Sequence, residues 1–296
     1  MTNATWAGDV AEPEGPVWGP DGSLYIVEMG AERRCVSRIG PDGKGRRSIV
    51  QTVRRPNGLA IDGSERLWIA EAFEGAIICT TSDGRELKRI TGDGARFLWP
   101  NDLVFAPNGL LYLTDSGILE GSFIDGVAIR PNYPDLEYDG KVFEIDPASG
   151  RVLRQLDRGL KFPNGIALGP DGTLYANETL TGEVYRYDLS KDRPERQSFG
   201  NVSRRDLSPA FRGPDGMKFG TDGRLYCTVY GQGDVTVLGP DGSVSERIAT
   251  LGRLPTNIAF APAGGFAVIT EVAASAVERM AVSCAGAPLH YPVFPI

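Results

Sequence analysis

The sequence predicts an all-β fold: a six-bladed β-propeller whose four-stranded antiparallel blades surround a central channel. Three observations lead there. Gly (38) and Pro (21) are spread evenly along 296 residues, short apolar runs alternate with turn signals, and one pattern recurs six times. The copies are PEGPVWGPDGSLYIVE from 13, PNGLAIDGSERLWIAE from 56, PNDLVFAPNGLLYLTD from 100, PNGIALGPDGTLYANE from 163, PDGMKFGTDGRLYCTV from 214 and PTNIAFAPAGGFAVIT from 255.

Each copy opens on Pro followed by an anchor residue: Glu14, Asn57, Asn101, Asn164, Asp215 or Thr256. Apolar residues follow two and four places on, such as Leu59 and Ile61, or Met217 and Phe219. That is the period-2 signature of a strand. A turn and a second strand, such as LYIVE or LYLTD, complete the copy. The anchors recur at roughly the 40–50-residue period of a four-stranded propeller blade. A β-solenoid has shorter coils. The six copies cover the chain, so one domain over 1–296 is expected. Residues 1–12 are expected to add an outer strand that joins the last blade to the first.

Composition narrows the function. Hydrophobic residues make up 41% and charged residues 23%, as in a globular protein. The net charge of -7 argues against nucleic acid or an anionic membrane surface as partner and leaves a small molecule or a cation. Cys35, Cys79, Cys227 and Cys284 show neither disulfide nor zinc spacing, which suits a reducing compartment. With no apolar leader and no membrane-length apolar run, a cytoplasmic location is expected. Oligomeric state is not legible.

In radially arranged blades, equivalent residues sit at one height around the axis. The anchors open the innermost strands, so all six point into one mouth of the channel. Glu, Asn, Asn, Asn, Asp and Thr each carry a side-chain oxygen. An oxygen-only ring with two carboxylates suits a hard divalent cation. Ca²⁺ comes first, then Mg²⁺ or Mn²⁺, with Zn²⁺ as the softer alternative.

Asp215 tests this register. It lies in a Gly-Pro-Asp-Gly tetrapeptide, and the same letters occur at 19–22, 40–43, 169–172 and 239–242. Those four fall after or between strands, where they read as turns. The copy at 213–216 falls where other blades carry Pro-Asn, so Asp215 belongs with the anchors. A second recurrent acid, fourteen residues after the anchor (Glu28, Glu71, Asp115, Glu178), repeats too regularly for a unique site and is read as architectural. His290 stands near the end of the sequence with no nucleophile motif around it, so proton transfer falls to carboxylates, Tyr, Lys or metal-bound water.

The longest interval holds an insertion at 117–140, GILEGSFIDGVAIRPNYPDLEYDG. Its aromatic and aliphatic content suits a lid. Glu120 within it is a candidate substrate contact.

EGPVW near the start, WPND and FPNG in the middle and GPDGM late in the sequence resemble, in that order, the SMP-30/gluconolactonase/LRE-like family. The resemblance implies a six-bladed propeller with a divalent metal, typically Ca²⁺, in its channel. It implies Glu14, Asn164 and Asp215 as metal ligands and Asn101 as a substrate contact or fourth ligand. Asp215 would also be the general base or nucleophile, with the metal acting as a Lewis acid. Asn57 joins the substrate-binding candidates. The implied activity is hydrolysis of a small lactone or ester. Phosphotriester hydrolysis, isomerase or lyase chemistry and a non-catalytic protein-binding propeller are the alternatives. One departure bears on specificity. Sugar-lactonase members often carry Arg two residues before the Asn of the WPND-like motif; here that residue is Trp99. An indole face favours a substrate less polar than a sugar lactone.

Overall fold

A computed structural model describes residues 3–51, 54–92, 94, 96–125, 128–204, 206–207 and 210–296. Among the described residues the strands form six four-stranded sheets and one two-stranded hairpin. Blade one comprises Pro13–Trp18, Leu24–Glu28, Cys35–Ile39 and Arg47–Gln51, paired antiparallel in that order. The first strands of the other blades are Pro56–Ile61, Pro100–Phe105, Pro163–Leu168, Gly213–Phe219 and Pro255–Phe260. Each first strand lies at one edge of its sheet and touches the first strands of both neighbouring blades, so the six form a closed inner ring.

Blade six takes its fourth strand from the start of the sequence: Ala4–Gly8 pairs with Ala276–Ala281. Pairing the two ends in one sheet closes the ring without leaving an open inner edge. The apolar core lies between blades. Blades two and three bury Trp68, Phe97, Leu103, Phe105 and Phe143 together. Blades one and two bury Val17, Val27, Leu59 and Ile69. The other four interfaces repeat this arrangement. The apolar residues two and four places after each anchor are therefore side walls that pack blade on blade.

The tetrapeptides divide as the register predicts. At 19–22, 40–43, 169–172 and 239–242 the last Gly donates its N–H to the carbonyl of the first at 2.9–3.0 Å and adopts positive φ. At 213–216 the same letters form the start of an innermost strand.

The insertion contains a short helix (Glu120–Phe123), a hairpin (Ile124–Asp125 with Ala128–Ile129) and a 3-10 turn at Tyr133–Asp135. Residues 126 and 127 of this segment lie outside the described residues. Phe123 is buried against Trp99, Ile118, Phe162 and Ala72, with Phe211 packed beside them. The insertion thus covers part of the anchor mouth of the channel.

Candidate active site

Each innermost strand carries a register shift directly after its anchor, for example between Glu14 and Val17, Pro163 and Ile166, or Pro214 and Met217. A bulge re-aims a side chain relative to the regular pleat. Here it turns the anchors toward the axis. The bulge also presses the next residue against the neighbouring blade. At Gly15, with φ of 56°, a Cβ would lie 2.8 Å from the Asn57 carbonyl oxygen, so only glycine fits.

All six anchors line one cavity of about 110 Å³, together with Trp99, Arg55, Tyr230, Phe123, Phe162 and Phe211 among others. Of the metal and substrate candidates read from sequence (Glu14, Asn57, Trp99, Asn101, Glu120, Asn164 and Asp215), all but Glu120 line it. Glu120 instead approaches a lining residue, its Oε1 lying 3.7 Å from Arg55 Nε.

The recurrent acids prove architectural. Glu28 accepts the Ala11 N–H at 2.8 Å, Asp115 accepts Leu98 and Trp99 N–H groups, and Glu178 accepts the Lys161 N–H. Glu71 does the same for Arg55. Each buried carboxylate holds the segment entering its own innermost strand and so fixes the height of the anchor. In blade six Glu271, one place later, accepts the Leu254 N–H at 2.6 Å. A second set of clasps crosses between blades. Thr114 Oγ1 donates to the Asn164 carbonyl, Asn177 Nδ2 to the Asp215 carbonyl at 2.6 Å, and Thr228 Oγ1 to the Thr256 carbonyl at 2.7 Å. Sequence reading missed these clasps, because the partner of each lies in a different repeat.

Hydrogen bonding separates the anchors by role. The Thr256 hydroxyl is spent on the Pro13 carbonyl at 2.7 Å and Thr270 Oγ1 at 2.8 Å. Asn57 accepts from Trp99 Nε1 at 3.5 Å and donates to Asn101 Oδ1 at 3.1 Å; Asn101 donates to Ser116 Oγ at 2.9 Å. That chain holds Trp99 and the two amides in one orientation. Asn164 differs, since its Oδ1 is buried without a hydrogen-bond partner among the described residues. An unpaired buried acceptor costs about 1–3 kcal/mol, so such an atom calls for a ligand.

The two anchor carboxylates are buried: Glu14 is 2% exposed and Asp215 8%. Burial, then the negative charges of Asp215 and Asp102, pushes Glu14 well above the ordinary carboxylate range; a hydrogen bond from Asn257 opposes this. Burial, then Asp102, pushes Asp215 up likewise, against a hydrogen bond from Asn164. Asp102 and Asn257 stand immediately after their anchors, where the other four blades carry Gly15, Gly58, Gly165 and Gly216. They do not line the cavity but act on its two acids. The sequence reading passed over them and over Arg55, and for Asp102 and Asn257 the break in the glycine series was the available signal. Asp102 Oδ2 also lies 3.7 Å from Lys218 Nζ.

Among the described residues, Glu14, Asp215, Asp102 and Glu12 outnumber the cations Lys218 and Arg55 here and leave a local excess of negative charge. A divalent cation offsets such an excess. Among the described residues no group of three or more His, Cys, Asp and Glu is placed to hold a metal. Any cation here therefore relies on amide oxygen in addition to Glu14 and Asp215. Asn164 Oδ1, unpartnered among the described residues, is an oxygen free to serve in that way, and the residue types fit a hard cation.

The opposite mouth is different. It opens into a cavity of about 250 Å³ lined by Trp18, Leu59, Phe105, Phe219 and Phe260, and crossed by residues 285–291. His290 lines that cavity and not the anchor site.

A six-bladed propeller with an axial site of acids and amides is the class of protein these features define. Residues 12–271 match the SMP-30/gluconolactonase/LRE-like region, and the chain belongs to that family. It is similar to a gluconolactonase of Zymomonas mobilis, at 28% identity over 257 residues, covering 80% of this chain and 69% of that protein. It is similar to lactonase drp35 of Staphylococcus epidermidis, at 26% identity over 246 residues, covering 81% and 70%. Its fold matches that of a calcium-binding protein, regucalcin, from Agrobacterium tumefaciens, with a TM-score of 0.74 at 17% identity over 99% of this chain and 98% of that one.

Proposed function

We propose that this protein is a divalent-cation-dependent hydrolase that opens a small lactone at the anchor mouth. The observation that carries the reading is the buried, unpartnered Asn164 Oδ1 in the cavity that Glu14 and Asp215 share. The lactonase and gluconolactonase relatives support the substrate class. Glu14, Asn164 and Asp215 would hold the cation, Ca²⁺ first and Mg²⁺, Mn²⁺ or Zn²⁺ after it. When bound, the cation supplies Lewis acidity toward the carbonyl oxygen.

Asp215, once deprotonated, accepts a proton from the attacking water, or attacks the carbonyl carbon itself. In that second route the ring C–O bond breaks, the alkoxide takes a proton from water, and hydrolysis of the resulting anhydride frees Asp215 and the hydroxy acid. In the water route a bond forms from water oxygen to the carbonyl carbon. The ring C–O bond then breaks, and the proton held by Asp215 passes to the leaving alkoxide, giving a hydroxy acid. Asn101 contacts the substrate, its amide held by Asn57 and Ser116. Trp99, Phe123 and Phe162 present an apolar wall, with Trp99 Nε1 turned to Asn57. That wall favours a lactone less polar than an aldonolactone. The segment 117–140 acts as the lid. The protein works as one propeller domain; its free, mostly buried thiols suit the cytoplasm. Among the described residues no helix is long and apolar enough to cross a membrane.

The test is metal analysis of the purified protein, followed by a panel of lactones and esters with and without chelator. Chelation should abolish turnover and Ca²⁺ should restore it. Undiminished hydrolysis in metal-free protein, or no hydrolysis of any lactone, would sink the proposal.

A further inference from the structure

We infer that Arg55, flanked by Glu12 and Glu120, forms a hydroxyl-binding subsite at the edge of this cavity. The substrate would then be a lactone with a hydroxyl on one edge and an apolar face on the other. The inference rests on the hydrolase reading above for the word lactone, and on Arg55 itself for the hydroxyl.

Arg55 stands two residues before its anchor Asn57, the phase that Trp99 occupies in the next blade. Both side chains line the same cavity. The lining of the mouth therefore combines an aromatic cluster, Trp99, Phe123, Phe162 and Phe211, with an ionic group at Arg55. The Arg55 main chain is fixed, since its N–H donates to the buried Glu71 carboxylate.

Its side chain is not so well satisfied. Arg55 Nε is buried without a hydrogen-bond partner among the described residues. The nearest acids stand off: Glu12 Oε2 is 3.6 Å from one terminal nitrogen and Glu120 Oε1 is 3.7 Å from Nε. Both distances exceed hydrogen-bond range. A guanidinium has five donors in a rigid fork, and leaving a buried one unmet is costly.

Charge selects the group that fits. Two carboxylates, Glu12 and Glu120, already face the one guanidinium. A substrate carboxylate would enter a region of like charge. A neutral hydroxyl meets no such penalty: its oxygen accepts from Arg55, and its proton goes to Glu12 or Glu120. Glu120 lies on the short helix of the insertion, so that segment would take part in reading the substrate.

The experiment compares δ-valerolactone with 3-hydroxy-3-methyl-δ-valerolactone in the Ca²⁺-loaded 296-residue protein. Arg55→Met should lower kcat/KM for the hydroxylated lactone by about 10–100-fold and leave the plain lactone within about threefold. Arg55→Lys, which keeps the charge and loses the fork, should recover part of the loss. Glu120→Gln should weaken the hydroxyl preference less than Arg55→Met does. An equal loss on both lactones, or an unchanged preference, overturns the subsite. Calorimetry with δ-valerolactam and 4-hydroxypiperidin-2-one, whose hydroxyl sits on the same β carbon as in the lactone, separates the two readings. If no lactone is turned over, yet the wild type binds the hydroxylated lactam more tightly and Arg55→Met removes that difference, the subsite stands and the hydrolase reading falls. Equal binding of the two lactams by the wild type overturns the subsite.

Discussion

Two of the five Gly-Pro-Asp-Gly stretches of this protein share their letters but not their place in the fold. At 169–172 they turn the chain at the rim of blade four, and Asp171 is exposed, accepting the Thr173 N–H at 3.0 Å. At 213–216 they open an innermost strand, and Asp215 lies buried on the channel axis beside Asn164. The turn-forming tendencies of Pro, Asp and Gly are real in both places. At the second they yield to the register of a six-fold repeat, because blade packing fixes which residue faces the axis. Local chemistry proposes a conformation, and position in the repeat decides whether it is used.

The same contrast marks how far the sequence could be read. The blades, the anchors and the closing strand were legible because propeller packing repeats, and repetition is visible in one sequence. Asp102 and Asn257 were not, because the apolar period-2 scan steps over the position after each anchor. Arg55 was not, because its meaning depends on two acids, Glu12 and Glu120, brought together from different segments. The spending of the Thr256 hydroxyl on Pro13 was also hidden, since it crosses from the last blade to the first.

The largest expected effect breaks the comparison on its functional side. Asp215→Asn keeps an oxygen in place but removes a charge and a proton acceptor. Turnover of the best lactone should fall by about 10²-fold or more, with stability changed modestly. Asn164→Ala should weaken Ca²⁺ binding, measured by calorimetry, because it removes the unpartnered oxygen.

Next in size is a pH effect on the metal-free protein. Glu14 and Asp215 have raised pKa values in the folded state, so the native protein holds their protons more tightly than the unfolded chain. Their contribution to stability is present below the ordinary carboxylate range and is lost as pH rises through the raised values. In chelator, the melting temperature of the wild type should therefore fall relative to Glu14→Gln as the pH rises above the ordinary carboxylate range of about 4. Saturating Ca²⁺ should remove that difference for the wild type, by binding the native state alone. A wild-type curve parallel to that of Glu14→Gln in chelator would show that the acids do not strain the site.

A smaller effect is expected at the aromatic wall. Trp99→Arg should shift the ratio of kcat/KM values toward polyhydroxy lactones by about tenfold, at some cost in stability, since Trp99 packs on Phe123 and Phe162. A wild-type preference for gluconolactone over every apolar lactone would contradict the wall as the determinant.

The smallest effect belongs to Asp171→Asn, the matched control. Asp171 accepts from the Thr173 N–H and from Thr173 Oγ1 at 2.9 Å, both at the surface. Asn retains the oxygen that bonds the N–H and suits the same turn, while Gly172 keeps the positive φ that closes it. The cost should be about 1 kcal/mol or less by denaturant unfolding, with turnover and metal content at wild-type levels. The four letters are the same as at 213–216 and the substitution is chemically identical, so any difference between the two mutants reports position alone. If Asp171→Asn lowers turnover as far as Asp215→Asn does, register does not select the catalytic aspartate. If neither change matters, the anchor mouth is not where the chemistry occurs.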